Sequence, residues 1–157
     1  MAHTDADCII PSTWLEKIHD DFEKNKVDMV WGPVYYSKDV NPVMNLHMWN
    51  LWTVQRAFWR FMPYTMNPNV AFTKKGFNRI DGYRLDLKYL DDYDIGRRAV
   101  KTLDSHYNPN NVVIFSARRY SNNTDIVLDL KKMLKSLAEY HLTNRTSEVH
   151  VPVSEYK

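Results

Sequence analysis

The sequence is poor in cysteine, in glycine and in excess charge of either sign. The one cysteine among its 157 residues, Cys8, cannot form a disulfide within the chain, so we expect a reducing, cytoplasmic compartment. With only four glycines, the chain does not have the composition of a collagen-like or low-complexity protein. The net charge of +2, without a block of lysine or arginine, argues against nucleic acid as a partner.

A long apolar run is also missing. The most apolar stretch is residues 41–62, which we predict to form a helix. A helix that crosses a membrane needs about 20 predominantly apolar residues, and this one is interrupted by Asn45, His47, Asn50, Gln55, Arg56 and Arg60. A helix that is apolar on nearly all sides normally packs in a core or faces a partner or a membrane surface. We expect core or partner packing for this helix and its tryptophans; peripheral membrane contact and a sugar platform are the alternatives for Trp49, Trp52 and Trp59.

Helical and extended patterns alternate along the chain, as they do in α/β domains. We predict helices over residues 11–25, 41–62, 74–80, 90–103 and 124–142, and strands over residues 27–36, 70–72 and 112–117. Gly32 and Pro33 interrupt the first strand and predict a bend there. The length fits one domain, which we place at residues 1–142, and residues 143–157 are expected to form a loose tail.

Two aspartates near the amino terminus, Asp5 and Asp7, form an Asp-x-Asp motif. In an extended segment, residues two apart project to the same side, so both carboxylates would converge on one point. Two hard oxygen ligands suit Mg²⁺ or Mn²⁺, which often carry the phosphates of a substrate. The alternative is a solvated acidic turn that precedes the helix of residues 11–25.

Four later segments complete a pattern that begins with this motif. They are residues 67–77 (NPNVAFTKKGF), 81–84 (DGYR), 89–98 (YLDDYDIGRR) and 113–119 (VIFSARR). In order and spacing, and together with the Asp-Ala-Asp, Pro and Trp-Leu of residues 5–15, they resemble the second half of the catalytic domain of family 2 glycosyltransferases. The resemblance covers roughly residues 2–120 and implies a GT-A fold, a Rossmann-like α/β fold with a mixed sheet flanked by helices.

The resemblance also implies roles for four carboxylates. Asp7 would bind a divalent metal, Mn²⁺ or Mg²⁺, that holds the diphosphate of a nucleotide-sugar donor. Asp5 would support this metal through water or contact the nucleotide ribose. Asp92 matches the general base that deprotonates the acceptor hydroxyl as it attacks the anomeric carbon opposite the leaving group, and Asp91 would position the acceptor or tune Asp92.

Three basic side chains are further candidates. His106 would complete the metal shell, since some related enzymes use a downstream histidine there; an ordinary loop histidine is the alternative. Arg118 and Arg119 would hold the donor diphosphate, with a solvated strand end as the alternative.

The chain departs from the family pattern at three points. Asp81-Gly82 stands where the family has a Gly-Gly pair, and Thr73-Lys74 replaces an Arg-Arg pair, with the loss of one charge and of the bidentate geometry of arginine. The βαβ half that binds the nucleotide in this family is absent ahead of Asp5. We therefore expect a partial GT-A domain that starts at the Asp-x-Asp motif.

Two functions remain open. The first is an inverting glycosyltransferase that uses a nucleotide-sugar donor, a divalent metal and a carbohydrate or lipid-linked acceptor. The second is a truncated, non-catalytic half-domain that acts as an oligomerisation or partner-binding module. In either case we expect a homo-oligomer or association with a complementing front half, because a truncated sheet leaves an open edge. Phosphotransfer of the P-loop type is excluded, because the sequence has no Gly-x-x-x-x-Gly-Lys-Ser/Thr motif.

Overall fold

A computed structural model describes residues 1–37, 46, 53–54, 56–58, 67–87, 89–116 and 123–147. Most of the helix predicted at residues 41–62, including its three tryptophans, lies outside the described residues, as do Arg118 and Arg119. Within this predicted helix, the described residues 46, 53–54 and 56–57 are helical. None of the described helices is long and apolar enough to cross a membrane.

Seven short strands form two mixed sheets in the described part of the chain. The strands are β1 Ala2–His3, β2 Cys8–Ile9, β3 Met29–Trp31, β4 Val34–Tyr36, β5 Val70–Phe72, β6 Ser105–Tyr107 and β7 Val113–Phe115. The larger sheet has the order β1-β5-β3-β6, with β3 and β6 parallel and the other neighbours antiparallel. The smaller sheet has the order β2-β7-β4, with β4 and β7 parallel and β2 and β7 antiparallel.

The bend predicted at Gly32-Pro33 is confirmed, and it sends β3 and β4 into different sheets. Gly32 is required at this point because a Cβ would lie 2.5 Å from the carbonyl oxygen of Asn111 and 2.8 Å from Nδ2 of Asn69. Pro33 has no N–H to offer, but its carbonyl oxygen accepts a hydrogen bond from the backbone N–H of Val113 at 3.2 Å, at the start of β7. The break in the strand therefore joins the two sheets.

Four α-helices are described: α1 Trp14–Asn25, α2 Lys74–Arg79, α3 Asp91–Thr102 and α4 Asn123–Thr143. Each agrees with a predicted helix to within a few residues. In α1, Trp14 and Ile18 are buried one turn apart. Beyond α4, in the segment predicted to be a loose tail, the hydroxyl of Thr146 donates to the carbonyl of Tyr89 at 3.3 Å.

The core lies where the two central strands of the larger sheet meet α1 and α3. Met29 and Phe72 are fully buried on β3 and β5, and Ile95 and Ala99 of α3 pack into the same cluster with Trp14. Because β3 and β5 are buried on both faces, their side chains are apolar at every position rather than at alternate ones. This core fixes the strand that precedes α2 and the first half of α3.

A buried amide, that of Asn69, joins three segments of this core. Asn69 is 2 % exposed and lies in a short 3₁₀ turn, Asn67–Asn69, directly before β5. Its Oδ1 accepts a hydrogen bond from the indole Nε1 of Trp14 at 2.9 Å. Its Nδ2 donates to the carbonyl oxygens of Pro33 at 3.0 Å and Asn111 at 2.6 Å. The side chain thus ties β5 to α1, to the β3–β4 bend and to the segment before β7.

We expect Asn69→Ala to lower the free energy of unfolding by roughly 2–4 kcal/mol, because it leaves a buried indole N–H and two buried carbonyls without this partner. Urea denaturation of the variant measures the loss. Asn110→Ala removes an exposed amide and is the matched control, with an expected change within about 0.5 kcal/mol. Equal losses in both variants would contradict the role assigned to Asn69.

A second prediction concerns His3, whose ring lies among Phe77, Tyr83 and Phe72 at centroid distances of 6.0, 5.2 and 6.1 Å. Burial, with a smaller contribution from the charged amino terminus, lowers the pKa of His3. As the pH falls, His3 therefore takes up its proton in the unfolded chain before it does so in the folded chain. The contribution of neutral His3 to the free energy of unfolding is present above about pH 6.5 and is lost as the pH falls below it. We expect His3→Phe to flatten the fall in melting temperature between pH 7 and pH 5. An unchanged pH profile would show that His3 does not contribute to it.

Candidate functional site

The Asp-x-Asp motif lies in the connection between the two sheets. β1 pairs with β5 in the larger sheet, and β2, which follows after four residues, pairs with β7 in the smaller one. The backbone N–H of Cys8 donates to the carbonyl of Asp5 at 3.2 Å, and that of Ser116 donates to the carbonyl of Asp7 at 3.3 Å. Asp5 is exposed and Asp7 is half-buried. The motif is thus held in a turn by main-chain hydrogen bonds on both sides.

The second acidic segment forms the first turn of α3. The helix begins after Leu90, whose backbone has φ of 62°, and its first turn contains Asp91, Asp92 and Asp94. Negative side chains are favoured at this end of a helix by the helix dipole. One oxygen of Asp92 accepts a hydrogen bond from the N–H of Tyr93 at 2.8 Å. Asp91 accepts one from Nδ2 of Asn67 at 2.9 Å, so it is held from the turn before β5.

Tyr83 connects the two acidic segments. Its hydroxyl donates to Oδ1 of Asn67 at 2.9 Å. Burial raises the pKa of Tyr83, and the negative charges of Asp91, Asp92 and Asp5 raise it further. The ring of His3, two residues before Asp5, lies 5.2 Å from the Tyr83 ring, and Asn67 is hydrogen-bonded to both Tyr83 and Asp91. Tyr83 therefore lies next to residues that adjoin both acidic segments.

Asp94 has a different position from its neighbours, because its carboxylate is buried and 1 % exposed. Arg98, one turn later, donates to Oδ2 from Nε at 2.8 Å and lies with Nη2 2.6 Å from the same atom. The hydroxyl of Tyr140 on α4 donates to Oδ1 at 2.5 Å, and Nη1 of Arg84 lies 3.6 Å from that oxygen. Arg98 also donates to the carbonyl of Ile80. This network joins α3 to α4 and to the loop that precedes α3.

The roles of these supporting residues were not predicted from the sequence. A signal was present for Asp94 and Arg98, because oppositely charged residues at i, i+4 on a helix are neighbours. No local signal exists for Asn67, Tyr83 or Tyr140, since their partners come from other segments of the chain.

His106, the third predicted metal ligand, lies in another part of the fold. His106 is on β6, at the opposite edge of the larger sheet from β1, and its Nε2 is 3.6 Å from Oδ1 of Asp21 on α1. The structure therefore does not bring it to Asp5 and Asp7. Within the described ranges, no three His, Cys, Asp or Glu side chains form a ready metal cage. Asp5 and Asp7 still suit Mg²⁺, which is commonly bound by one or two carboxylates together with substrate phosphates and water.

We expect Tyr140→Phe to lower the free energy of unfolding by about 1.5–3 kcal/mol, because it removes a hydrogen bond to a buried carboxylate. Tyr93→Phe is the matched control: its hydroxyl is 2.9 Å from Nε2 of His141 at an exposed position, and its loss should cost less than about 1 kcal/mol. Chemical denaturation compares the two. A smaller loss for Tyr140→Phe than for Tyr93→Phe would contradict the role of the Asp94 network.

The chain matches a known protein family. The model of glycosyl transferase family 2 matches residues 1–93, more than half of the chain. The matched range contains Asp5, Asp7, Asp91 and Asp92, and His106 lies beyond it. No curated protein matches the chain. The mixed sheets flanked by helices are consistent with the GT-A fold of this family. The chain therefore belongs to glycosyl transferase family 2.

Proposed function

We propose that this protein is an inverting glycosyltransferase that moves a sugar from a nucleotide-diphosphate donor to an acceptor hydroxyl. The observation that carries the proposal is the position of Tyr83, within the range matched by the family: its ring contacts His3, near Asp5, and its hydroxyl donates to Asn67, which holds Asp91. A transferase of this kind needs a metal ion for the leaving diphosphate and a base for the acceptor hydroxyl. One acidic segment would supply carboxylates that bind the metal, and the other would supply the base.

Asp7 and Asp5 form the donor side of the proposed site. Asp7 is the direct ligand of Mn²⁺ or Mg²⁺, and Asp5 supports the metal through water or contacts the nucleotide ribose. When bound, the metal neutralises charge on the leaving diphosphate. The hydrogen bond from the backbone N–H of Ser116 to the carbonyl of Asp7 holds the backbone at this ligand. Arg118 and Arg119 are the proposed contacts of the diphosphate. His106 is not proposed as a metal ligand, because its Nε2 lies 3.6 Å from Oδ1 of Asp21.

Asp92 is the base on the acceptor side. Its carboxylate takes the proton of the acceptor hydroxyl while that oxygen forms a bond to the anomeric carbon. The bond between this carbon and the diphosphate oxygen breaks on the opposite face, so the configuration inverts. The hydrogen bond from the N–H of Tyr93 holds one oxygen of Asp92 in place at the start of α3. Asp91 positions the acceptor beside it.

The remaining parts of the proposal concern partners. We propose that the nucleotide base is held by a part of the GT-A fold that precedes the Asp-x-Asp motif, either in the same protein or in a complementing one. The acceptor is a carbohydrate or a lipid-linked sugar. For residues 41–62, predicted to form an apolar helix, we propose a second copy of the chain as the partner, with peripheral membrane contact as the alternative.

Metal binding tests the donor side. We expect Asp7→Asn to weaken the binding of Mn²⁺ in the presence of UDP or GDP by at least about 10-fold, and Asp5→Asn to weaken it less, because a direct ligand contributes more than a water-mediated one. Isothermal titration calorimetry measures both, with Asp20→Asn, an exposed carboxylate on α1, as the control. The same affinity in wild type and Asp7→Asn would remove Asp7 from the site.

Turnover tests the acceptor side. We expect Asp92→Asn to reduce kcat by about 10²–10⁴-fold, with a smaller change in the donor KM, because a lost base removes help in the transition state. The assay follows the release of nucleoside diphosphate from a panel of UDP-, GDP- and dTDP-sugars with mono- and disaccharide acceptors. Asp104→Asn, an exposed carboxylate beyond the far end of α3, is the control. Turnover of Asp92→Asn within a few-fold of wild type would show that another group is the base, and no transfer by the wild type would favour the partner-binding function.

A further inference from the structure

The amide of Asn67 lies between Tyr83 and Asp91. Its Oδ1 accepts from the hydroxyl of Tyr83 and its Nδ2 donates to Oδ2 of Asp91, both at 2.9 Å. A phenol at neutral pH donates its one proton, and here that proton goes to the amide oxygen. The amide N–H groups must therefore point the other way, toward the carboxylate of Asp91. The orientation of Asn67 is set by Tyr83 and not by Asp91 alone.

Both supports of this amide are themselves fixed. The Tyr83 ring packs against Phe77 at 5.9 Å between ring centroids and against His3 at 5.2 Å. The 3₁₀ turn that contains Asn67 is anchored two residues later by Asn69, whose three hydrogen bonds are buried. The Asn67 amide is therefore held independently of Asp91. Its hydrogen bond to Asp91 then determines the position of the Asp91 carboxylate.

We infer that Asn67, oriented by Tyr83, is a positioning residue that fixes the Asp91 carboxylate for the acceptor. This inference rests on the proposed function and adds two residues to its acceptor side. One oxygen of Asp91 is held by Asn67, which leaves the other oxygen directed by the protein before the acceptor binds. Preorganised groups of this kind give tighter binding because less ordering is needed at the moment of contact.

The surroundings of Asp91 contain other charged groups that do not replace this contact. Asp92 and Asp5 contribute negative charge around Tyr83, and Arg98 contributes positive charge there. Arg98 is paired with the buried Asp94 of α3 and donates to the carbonyl of Ile80. On α4, His141 lies with the hydroxyl of Tyr93 at 2.9 Å.

Two variants test the inference in the full-length protein. Asn67→Asp keeps the size of the side chain and an oxygen for Tyr83, but it replaces the donor opposite Asp91 with a negative charge. Tyr83→Phe keeps the ring packing and removes the hydroxyl that orients the amide. We expect Asn67→Asp to raise the acceptor KM by about 10-fold or more and Tyr83→Phe to raise it by a smaller factor, with the donor KM within about 2-fold of wild type. Asn67→Gln, which keeps the donor, is expected to recover part of the acceptor affinity.

The readout separates positioning from a general structural role. Asn110→Asp, at an exposed position, is the matched control and should leave both KM values unchanged. If both test variants bind the acceptor as the wild type does, or if Asn67→Asp only unfolds the protein while Tyr83→Phe behaves as the wild type, the inference is wrong and the proposed function stands. Equal increases in donor and acceptor KM would also overturn it. If the wild type transfers no sugar, the proposed function fails first, and this inference fails with it.

Discussion

The hydrogen bonds of Asn69 are the interaction on which much of this structure depends. One amide binds the indole of Trp14 on α1 and the carbonyls of Pro33 and Asn111, so it joins the first helix, the bend between the sheets and the approach to β7. It uses both donors and the acceptor on groups that are out of reach of water. Gly32 has no side chain at the same point because a Cβ would occupy the space of this amide and of the Asn111 carbonyl.

The turn that contains Asn69 also contains Asn67, which contacts the proposed site. Asn69 faces the core, and Asn67, two residues earlier, faces Tyr83 and Asp91. The buried network of Asp94 with Arg98 and Tyr140 holds the first turn of α3 against α4. The first turn of α3, which carries Asp91 and Asp92, is thus held by hydrogen bonds to other segments. Such support orients catalytic groups before the substrate binds.

The sequence was informative where the signal is local. The periodicity of α1 and α3 and the break at Gly32-Pro33 appear in the structure as predicted. The strands β1, β2 and β6 were missed because two or three residues are too short to show an alternating pattern. The partners of Asn67 and Tyr83 could not be predicted, because those contacts depend on how the turn before β5 packs against α3. The family resemblance, confirmed over residues 1–93, supplied the candidate carboxylates but not the residues that hold them.

The central claim is that the Asp-x-Asp turn and the first turn of α3 form one site. Paramagnetic broadening by Mn²⁺ tests it most directly, in the full-length protein with UDP or GDP present. The account predicts the strongest loss of backbone amide signal at Asp5 and Asp7, accompanied by Tyr83, Asp91 and Asp92, with weaker effects at His106 and Asp21. Broadening centred on His106 and Asp21, or broadening at Asp5 and Asp7 that leaves Tyr83 and Asp91 unaffected, would contradict the account.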